Sequence, residues 1–216
     1  MIYNRILLFI TFAASKYSVI MKPYALYIHG MGSGAKSGTK SSLGRYLDQY
    51  EWLSPEVSHD PEESLAILNE WAAVFQPALI AGTSMGGFYN LFVDCPTAIK
   101  LTVNPTYNIE NVMRKVGYGK HKYLCERENG ETEYVIDEPL VRKFIDYRQN
   151  HEIIPGVRNI AVFSSDDELV GKENSKKNAA VLEKYGFEIV WSDKFGHRLN
   201  EKATKLIVNL LSNDAR

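Results

Sequence analysis

Short apolar runs alternate with amphipathic segments along most of the chain. The apolar runs are rich in β-branched, aliphatic and aromatic residues, which predicts buried strands. In the amphipathic segments, apolar residues recur every three to four positions, which predicts helices packed by one face. Such an alternation is typical of a parallel sheet with crossover helices. The predicted strands are YALYIHG (24–30), WLSPEVS (52–58), PALIAGT (77–83), AIKLTVNP (98–105), NIAVFSS (159–165) and FEIVWS (187–192).

The pattern predicts an α/β fold with a doubly wound, mostly parallel sheet of about six strands, in a single domain over residues 21–216. One stretch breaks the alternation. Residues 106–156 are polar, charged and dotted with aromatic side chains, as in YGKHKYLCERENGETEY, and are too long for a simple connection. We therefore expect an insertion that caps the sheet, after the strand that ends near Asn104.

Helix boundaries are marked most clearly at Asp60 and Gly186. Asp60 precedes Pro61, which suits the first position of a helix, and Glu63 completes the spacing of a capping box. Gly186 ends the helical segment SKKNAAVLEKYG as a C-terminal cap. A further helix is predicted over SSLGRYLDQY (41–50), and RLNEKATKLIVNLLSN closes the chain with another.

The first twenty residues, MIYNRILLFITFAASKYSVI, admit two interpretations. Arg5, a short apolar run over 6–14 and small residues at 13 and 15 outline a secretory signal peptide, although the run is too short to span a bilayer. Alternatively, the start is assigned too early, because Met21 directly precedes the first core strand. In both cases residues 1–20 form an extension outside the fold. We expect a cytoplasmic protein, or an exported one if the extension is a signal peptide.

The charge and the cysteines narrow the range of partners. The chain has 25 Lys and Arg against 26 Asp and Glu, so its formal net charge is −1. Because no basic patch or stripe is present, nucleic-acid binding is not expected, and no segment predicts a stable membrane span. Cys95 and Cys125 lack metal-ligand spacing and favour a reduced compartment. No oligomeric state is indicated.

The segment Gly82-Thr83-Ser84-Met85-Gly86 is a G-x-S-x-G pattern at a predicted strand-to-helix junction. In such a turn, small residues two positions before and after the serine let strand and helix approach. The turn then lifts the serine hydroxyl clear of the backbone, at the N-terminus of the next helix. Ser84 is therefore the candidate nucleophile. A plain glycine-rich turn is the alternative.

Two later strands end in residues that could serve this serine. SSDDELVG follows the strand over 159–165, and KFGHRLN follows the strand over 187–192. Ligands of open parallel sheets lie beyond the carboxyl ends of the strands, so an acid and a histidine there would lie at the same edge as Ser84. Asp167 is the preferred acid, because Leu169 and Val170 anchor its loop, and Asp166 is the alternative. His197 is the candidate base.

Two N–H groups are expected to form an oxyanion hole. Met85 follows the nucleophile, and the loop His29-Gly30-Met31-Gly32 follows the first strand, so the amides of Met85 and Met31 are the candidate donors. His29 is expected to order this loop. The other histidines (His59, His121 and His151) look peripheral, and none pairs at metal-site spacing, so neither a metal nor another cofactor is expected.

The order Ser84, Asp167, His197, together with the HG loop, resembles the α/β-hydrolase superfamily over residues 22–216. Within it, LYIHGMGSGAKS, GTSMGGFYN, VNP and SDDELV are similar to segments of the small bacterial YqiA-type esterases. The resemblance implies a serine esterase or thioesterase without a cofactor, which cleaves small to medium acyl groups through an acyl-enzyme. By motif match, Ser84, Asp167 and His197 take the nucleophile, acid and base positions.

Other functions are compatible with the same pattern. A non-catalytic α/β-hydrolase-like binding protein is one, although such proteins usually lose a triad member. Amide hydrolysis or acyl transfer by the same triad is another, because access of water to the acyl-enzyme decides that outcome. Within the insertion, Tyr107, Tyr118 and Tyr123 are expected either to shape an acyl pocket or to form the core of the insertion itself.

Overall fold

The computed structural model describes residues 21–193 and 195–212 of the chain. The strands within these residues are β1 (Tyr24–Ile28), β2 (Glu51–Leu53), β3 (Leu79–Thr83), β4 (Ile99–Val103), β5 (Gly119–Lys122), β6 (Glu133–Ile136), β7 (Arg158–Ser164) and β8 (Glu188–Ser192). The helices are α1 (Gly38–Tyr46), α2 (Pro61–Phe75), α3 (Met85–Phe92), α4 (Ile109–Val116), α5 (Glu138–Asn150), α6 (Lys172–Lys184) and α7 (Glu201–Ser212). The two interpretations of residues 1–20 fall outside the described residues.

Six strands form one parallel sheet in the order β2-β1-β3-β4-β7-β8, and β5 and β6 form a separate antiparallel pair. The predicted α/β class with a six-stranded parallel sheet is thus confirmed. The register pairs Ile28 with Gly82, and Thr83 with Val103. The loops after β1, β3, β4, β7 and β8 therefore leave the sheet at one edge, where parallel sheets hold their ligands.

The sheet has a hydrophobic core on each face, because successive strand residues point to opposite sides. In β1, Leu26 and Ile28 pack with residues of α2, α3, α5 and α6, whereas Ala25 and Tyr27 pack with residues of α1 and α7. All four side chains are at most 1% exposed. Fully burying a large aliphatic side chain contributes about 1.5–3 kcal/mol. Helices on both faces make the sheet doubly wound, as predicted.

The first residues of the helices agree in part with those predicted from the sequence. Oδ1 of Asp60 accepts the N–H groups of Glu62 and Glu63 at 3.0 and 3.3 Å, so Asp60 is the N-cap of α2. The reciprocal capping-box bond is replaced, because the Glu63 carboxylate accepts from the Ser58 hydroxyl at 3.2 Å. Helix α1 begins at Gly38, earlier than predicted, where Ser37 acts as N-cap.

The stretch 106–156 contributes α4, the β5–β6 hairpin and α5. Its residues Ile136, Val141 and Phe144 are fully buried and belong to the core on one face of the sheet. The ring of Phe144 lies 5.2 Å from that of Phe88 in α3. This stretch therefore packs directly behind the helix that follows Ser84. No helix within the described residues is long and apolar enough to cross a membrane.

Strand β4 carries a buried lysine. Lys100 is 0% exposed, and its Nζ donates to the Val93 carbonyl at 2.7 Å and to the Ile154 carbonyl. Burial lowers the pKa of Lys100 to about 8, although Cys95 and Asp94 act in the opposite direction. The side chain joins the end of α3 to the segment that leads into β7.

Candidate active site

Ser84 occupies a strained turn between β3 and α3. Its backbone has φ 55° and ψ −118°, a conformation that residues with a Cβ rarely adopt. The turn is held on both sides, because the Ser84 N–H donates to the Val103 carbonyl at 3.0 Å and its carbonyl accepts from Thr106 N–H at 3.3 Å. Ser84 is half-buried, at the N-terminus of α3, so the residue is partly open to solvent.

Three glycines make this turn sterically feasible. A Cβ added to Gly82 would lie 2.2 Å from the Gly86 carbonyl oxygen, and one added to Gly86 would lie 2.0 Å from the Ile28 carbonyl oxygen. One added to Gly87 would lie 2.9 Å from Cα of Pro105. Both glycines of the G-x-S-x-G pattern are therefore required by backbone approach, as is the additional Gly87.

Asp167 and His197 form a hydrogen-bonded pair at the same edge. Nδ1 of His197 lies 2.9 Å from Oδ2 and 3.1 Å from Oδ1 of Asp167. The Asp167 side chain is 0% exposed and that of His197 is 12% exposed. Because a carboxylate is an acceptor, this contact places the imidazole proton on Nδ1 and leaves Nε2 as an acceptor.

The loop between β7 and α6, residues 165–171, fixes the carboxylate of Asp167 and leaves Asp166 exposed. We call it the acid loop. Oδ1 of Asp167 accepts the N–H groups of Leu169 and Val170 at 2.9 and 2.8 Å. These two residues anchor the loop as the sequence suggested, and they do so partly through their main chain. Asp166 is exposed. Of the two candidate acids, the structure therefore brings Asp167 to His197.

The candidate oxyanion donors lie at neighbouring loops. A Cβ on Gly30 would lie 3.3 Å from Cβ of Ser84, so the loop after β1 passes directly beside the serine. Met31 is the next residue in that loop. Met85 is the first residue of α3, where an N–H has no acceptor within the helix.

A buried charge cluster lies behind the loop after β1. We call residues 30–35 the oxyanion loop, because they include the candidate donor Met31. Arg127 is 3% exposed and its Nη1 lies 2.8 Å from Oε1 of Glu56. The same guanidinium donates to the carbonyls of Ser33 and Val57 at 2.8 and 2.7 Å. Nε2 of His29 lies 3.1 Å from the Glu56 carboxylate, and its Nδ1 lies 3.1 Å from the Gly30 carbonyl. His29 thus orders the loop, as expected.

The pKa of Glu56 reflects this surrounding. Burial would raise it, but the hydrogen bond with His29, the N–H groups of Glu128 and Ala35 and the charge of Arg127 together lower the pKa of Glu56 to about 2. The carboxylate therefore stays ionised at neutral pH.

The β5–β6 hairpin also contacts the oxyanion loop. Leu124 N–H donates to the Gly32 carbonyl at 2.7 Å, and Tyr134 lies against Gly32. The Gly32 N–H donates to Nε2 of His59 at 3.4 Å, and His59 stacks on Tyr134 with ring centroids 4.5 Å apart. Burial, with Arg127 and His29 nearby, lowers the pKa of His59 to about 3. His59 is thus a support of the loop, and its description as peripheral was wrong.

The three tyrosines of the predicted pocket are engaged by other residues. Tyr107 lies under the guanidinium of Arg148, at 5.3 Å, and Tyr123 lies under that of Arg127, at 4.7 Å. The hydroxyl of Tyr118 donates to Glu138, and its ring is exposed. Tyr107 and Tyr118 are thus bound within the insertion, and Tyr123 helps to support the oxyanion loop.

One buried polar residue at this edge escaped the sequence reasoning. The side-chain amide of Asn104 donates to the carbonyls of Gly196 and His197 at 3.1 and 3.0 Å. Its Oδ1 accepts the N–H of Ser164 at 2.7 Å. The only sequence signal was its position in VNP, at the end of β4, where a polar residue interrupts an apolar strand.

The sheet order and the elbow turn define the α/β-hydrolase fold, and solved structures agree. Est1E from Butyrivibrio proteoclasticus has a TM-score of 0.64 at 14% identity, over 88% of this chain and 86% of that chain. Alpha/beta hydrolase domain-containing protein 10 from mouse has a TM-score of 0.64 at 9% identity, over 88% of each chain. The monoacylglycerol lipase of Paleococcus ferrophilus has 0.63 at 15% identity, over 88% of this chain and 95% of that chain.

The chain itself belongs to an uncharacterised protein family (UPF0227), whose sequence model matches residues 24–210. This family and the fold confirm the resemblance to the YqiA-like branch of the α/β-hydrolase superfamily. A search of curated proteins gave no significant match.

Proposed function

We propose that the protein is a serine hydrolase that cleaves carboxylic esters or thioesters of small to medium acyl groups. The observation that carries the proposal is the Asp167–His197 hydrogen bond, at 2.9 Å, on the sheet edge where Ser84 occupies its strained turn. Strain at a non-glycine residue persists only where the surrounding structure enforces it, and it clusters at active sites. The monoacylglycerol lipase among the structural neighbours supports the same reaction class.

In the proposed reaction, Nε2 of His197 accepts the hydroxyl proton of Ser84 as Oγ attacks the acyl carbon. Asp167 holds the Nδ1-protonated tautomer and stabilises the imidazolium that forms. His197 then donates that proton to the leaving alcohol or thiol. In the second half, His197 activates a water that attacks the acyl carbon, releases the acid and regenerates Ser84.

The negative charge that develops on the acyl oxygen requires donors fixed in advance. The N–H groups of Met31 and Met85 are proposed for this role, and the α3 N-terminus adds a favourable dipole. Loss of one such donor in a serine hydrolase typically reduces kcat by about 10²–10³-fold. The bonds from Arg127 and Leu124 to the oxyanion loop would keep Met31 in place.

Labelling with a fluorophosphonate probe tests the nucleophile. Wild type and Ser165→Ala, which removes an exposed serine of the acid loop, are expected to label, whereas Ser84→Ala is not. Equal labelling of wild type and Ser84→Ala would refute the assignment. Hydrolysis of p-nitrophenyl esters from acetate to octanoate, with matching acyl thioesters, then defines the acyl group, and unchanged turnover in His197→Ala would exclude the proposed base.

A further inference from the structure

We propose that Asn104 is a positioning residue that sets the orientation of His197 relative to Asp167, an inference that rests on the proposed function. The side chain of Asn104 reaches two loops that are distant in sequence. Oδ1 accepts from Ser164 N–H, at the end of the strand that carries the acid loop, and Nδ2 donates to the carbonyls of Gly196 and His197. One amide group thus joins β7, which we call the acid strand, to the loop that contains Gly196 and His197, which we call the histidine loop.

The partners of Asn104 fix the orientation of its amide. A backbone N–H can only donate and a carbonyl can only accept, so Oδ1 must face Ser164 and Nδ2 must face the histidine loop. Both amide hydrogens and the oxygen are used, at 2.7 to 3.1 Å. The residue is 1% exposed, and a buried amide that is fully bonded resists reorientation, because each lost bond would leave an unpaired polar group.

The backbone at this position also favours asparagine. Asn104 has φ 45°, in the left-handed region that asparagine tolerates better than most residues with a Cβ. Its N–H donates to the Val162 carbonyl at 2.8 Å, which ties the turn to β7. The preceding residue, Val103, accepts the N–H of Ser84. The turn at Ser84, the acid strand and the histidine loop therefore meet at Asn104.

A second main-chain hydrogen bond also restrains His197. Its N–H donates to Oε2 of Glu168 at 2.9 Å, and Glu168 is exposed. A contact at an exposed carboxylate is weaker than one in a buried site, because water competes for the same groups. The bonds from Asn104 to the two carbonyls are therefore the stronger main-chain restraint on the loop. A misplacement of about 1 Å at a reacting group can lower a rate by about 10²-fold.

Two substitutions distinguish the effect of the Asn104 side-chain amide from that of its backbone conformation. Asn104→Gly keeps the left-handed conformation and removes the amide. Asn104→Asp keeps an acceptor for Ser164 N–H and replaces the donor by a carboxylate oxygen that faces two carbonyls. Asn90→Asp is the matched control, because Asn90 is also buried, at 0% exposed, and donates to two carbonyls, those of Ile80 and Leu101, within the sheet core.

The test measures kcat and KM for p-nitrophenyl acetate, together with imidazole ¹⁵N shifts of histidine-labelled protein, with His197→Ala assigning the signal. Both Asn104 variants are expected to lose about 100-fold in kcat with KM within threefold, and to mix the two tautomers of His197. Asn90→Asp is expected to keep the Nδ1-protonated tautomer and its kcat. If Asn104→Gly does not fold, Asn104→Asp provides the same comparison.

A folded Asn104 variant with wild-type kcat and tautomer would overturn the proposal, and so would an equal loss in Asn90→Asp. The imidazole signals do not depend on turnover. If Ser84→Ala hydrolysed the ester as fast as wild type, the proposed function would fail, while the tautomer comparison would still report whether Asn104 positions His197.

Discussion

Removal of Arg127 should destabilise the protein and loosen the oxyanion loop together. In Arg127→Met, Glu56 loses its cationic partner, and the carbonyls of Ser33 and Val57 lose their donors. Methionine retains the approximate length of the side chain, so the change is mainly one of charge and hydrogen bonding.

The expected cost follows from the burial of the pair. Removing one partner of a buried ion pair costs about 3–5 kcal/mol. Two features reduce this value. Glu56 is 14% exposed and keeps bonds from Ala35 and Glu128. In wild type, Nε of Arg127 is buried with no hydrogen-bond partner among the described residues. We therefore expect about 3 kcal/mol, the lower end of that range.

Urea unfolding at pH 7 measures this cost, with Arg142→Met as the control. Arg142 pairs with Glu138 at 3.0 Å, but both side chains are well exposed, so its loss should change stability by less than about 0.5 kcal/mol. The double variant Glu56→Gln/Arg127→Met should cost less than the sum of the single variants, by about 0.5–3 kcal/mol. We also expect kcat of Arg127→Met to fall about tenfold, below the cost of losing an oxyanion donor outright.

The pH dependence adds a second measurement. Because the pKa of Glu56 falls from 4.5 to about 2 on folding, its contribution is complete above pH 4.5 and is lost as the pH falls toward 2. This loss should be smaller in Arg127→Met. A variant within 0.5 kcal/mol of wild type at pH 7, with the same acid dependence, would refute the assigned role of the pair.

Three further predictions concern single positions. Asp167→Asn should lower kcat about 10⁴-fold through the wrong tautomer of His197, whereas Asp166→Asn, at an exposed position, should stay within threefold; equal losses in ester hydrolysis would contradict the assignment of the acid. Gly86→Ala should destabilise by more than about 4 kcal/mol, because the added Cβ meets a β1 carbonyl oxygen at 2.0 Å, and an unchanged urea midpoint would contradict the turn geometry. Wild-type stability should rise between pH 8 and 10. In this range Lys100 is still protonated in the unfolded chain but loses its proton in the folded protein, where its pKa is about 8, and Lys100→Met should lack the rise.

Much of the fold was readable from local sequence. Strand positions followed from apolar runs, and Asp60 and the elbow glycines marked helix starts through local backbone chemistry. The candidate site was predicted because parallel strands end at one edge, so residues after β7 and β8 must lie near the turn after β3. The strand topology was therefore enough to predict that Asp167 and His197 lie close together.

The supporting residues could not be predicted in this way. Asn104 acts through contacts with residues 60 to 93 positions away, and Arg127 lies in an insertion whose path has no periodic signal. His59 looked peripheral because it directly precedes a helix cap, yet it contacts both the oxyanion loop and the hairpin. Such contacts depend on three-dimensional packing, which residue spacing alone does not encode.

The attachment of the β5–β6 hairpin to the oxyanion loop limits how this fold could be re-engineered. Insertions beside a hydrolase sheet are natural targets for exchange when a different substrate range is wanted. Here a transplanted insertion would also have to supply the guanidinium that reaches Ser33 and the N–H that reaches Gly32. A chimaera without them would gain a new surface but lose the contacts that hold residues 30–35 in place. A transplanted insertion should therefore include the β5–β6 hairpin and residues 30–35 together.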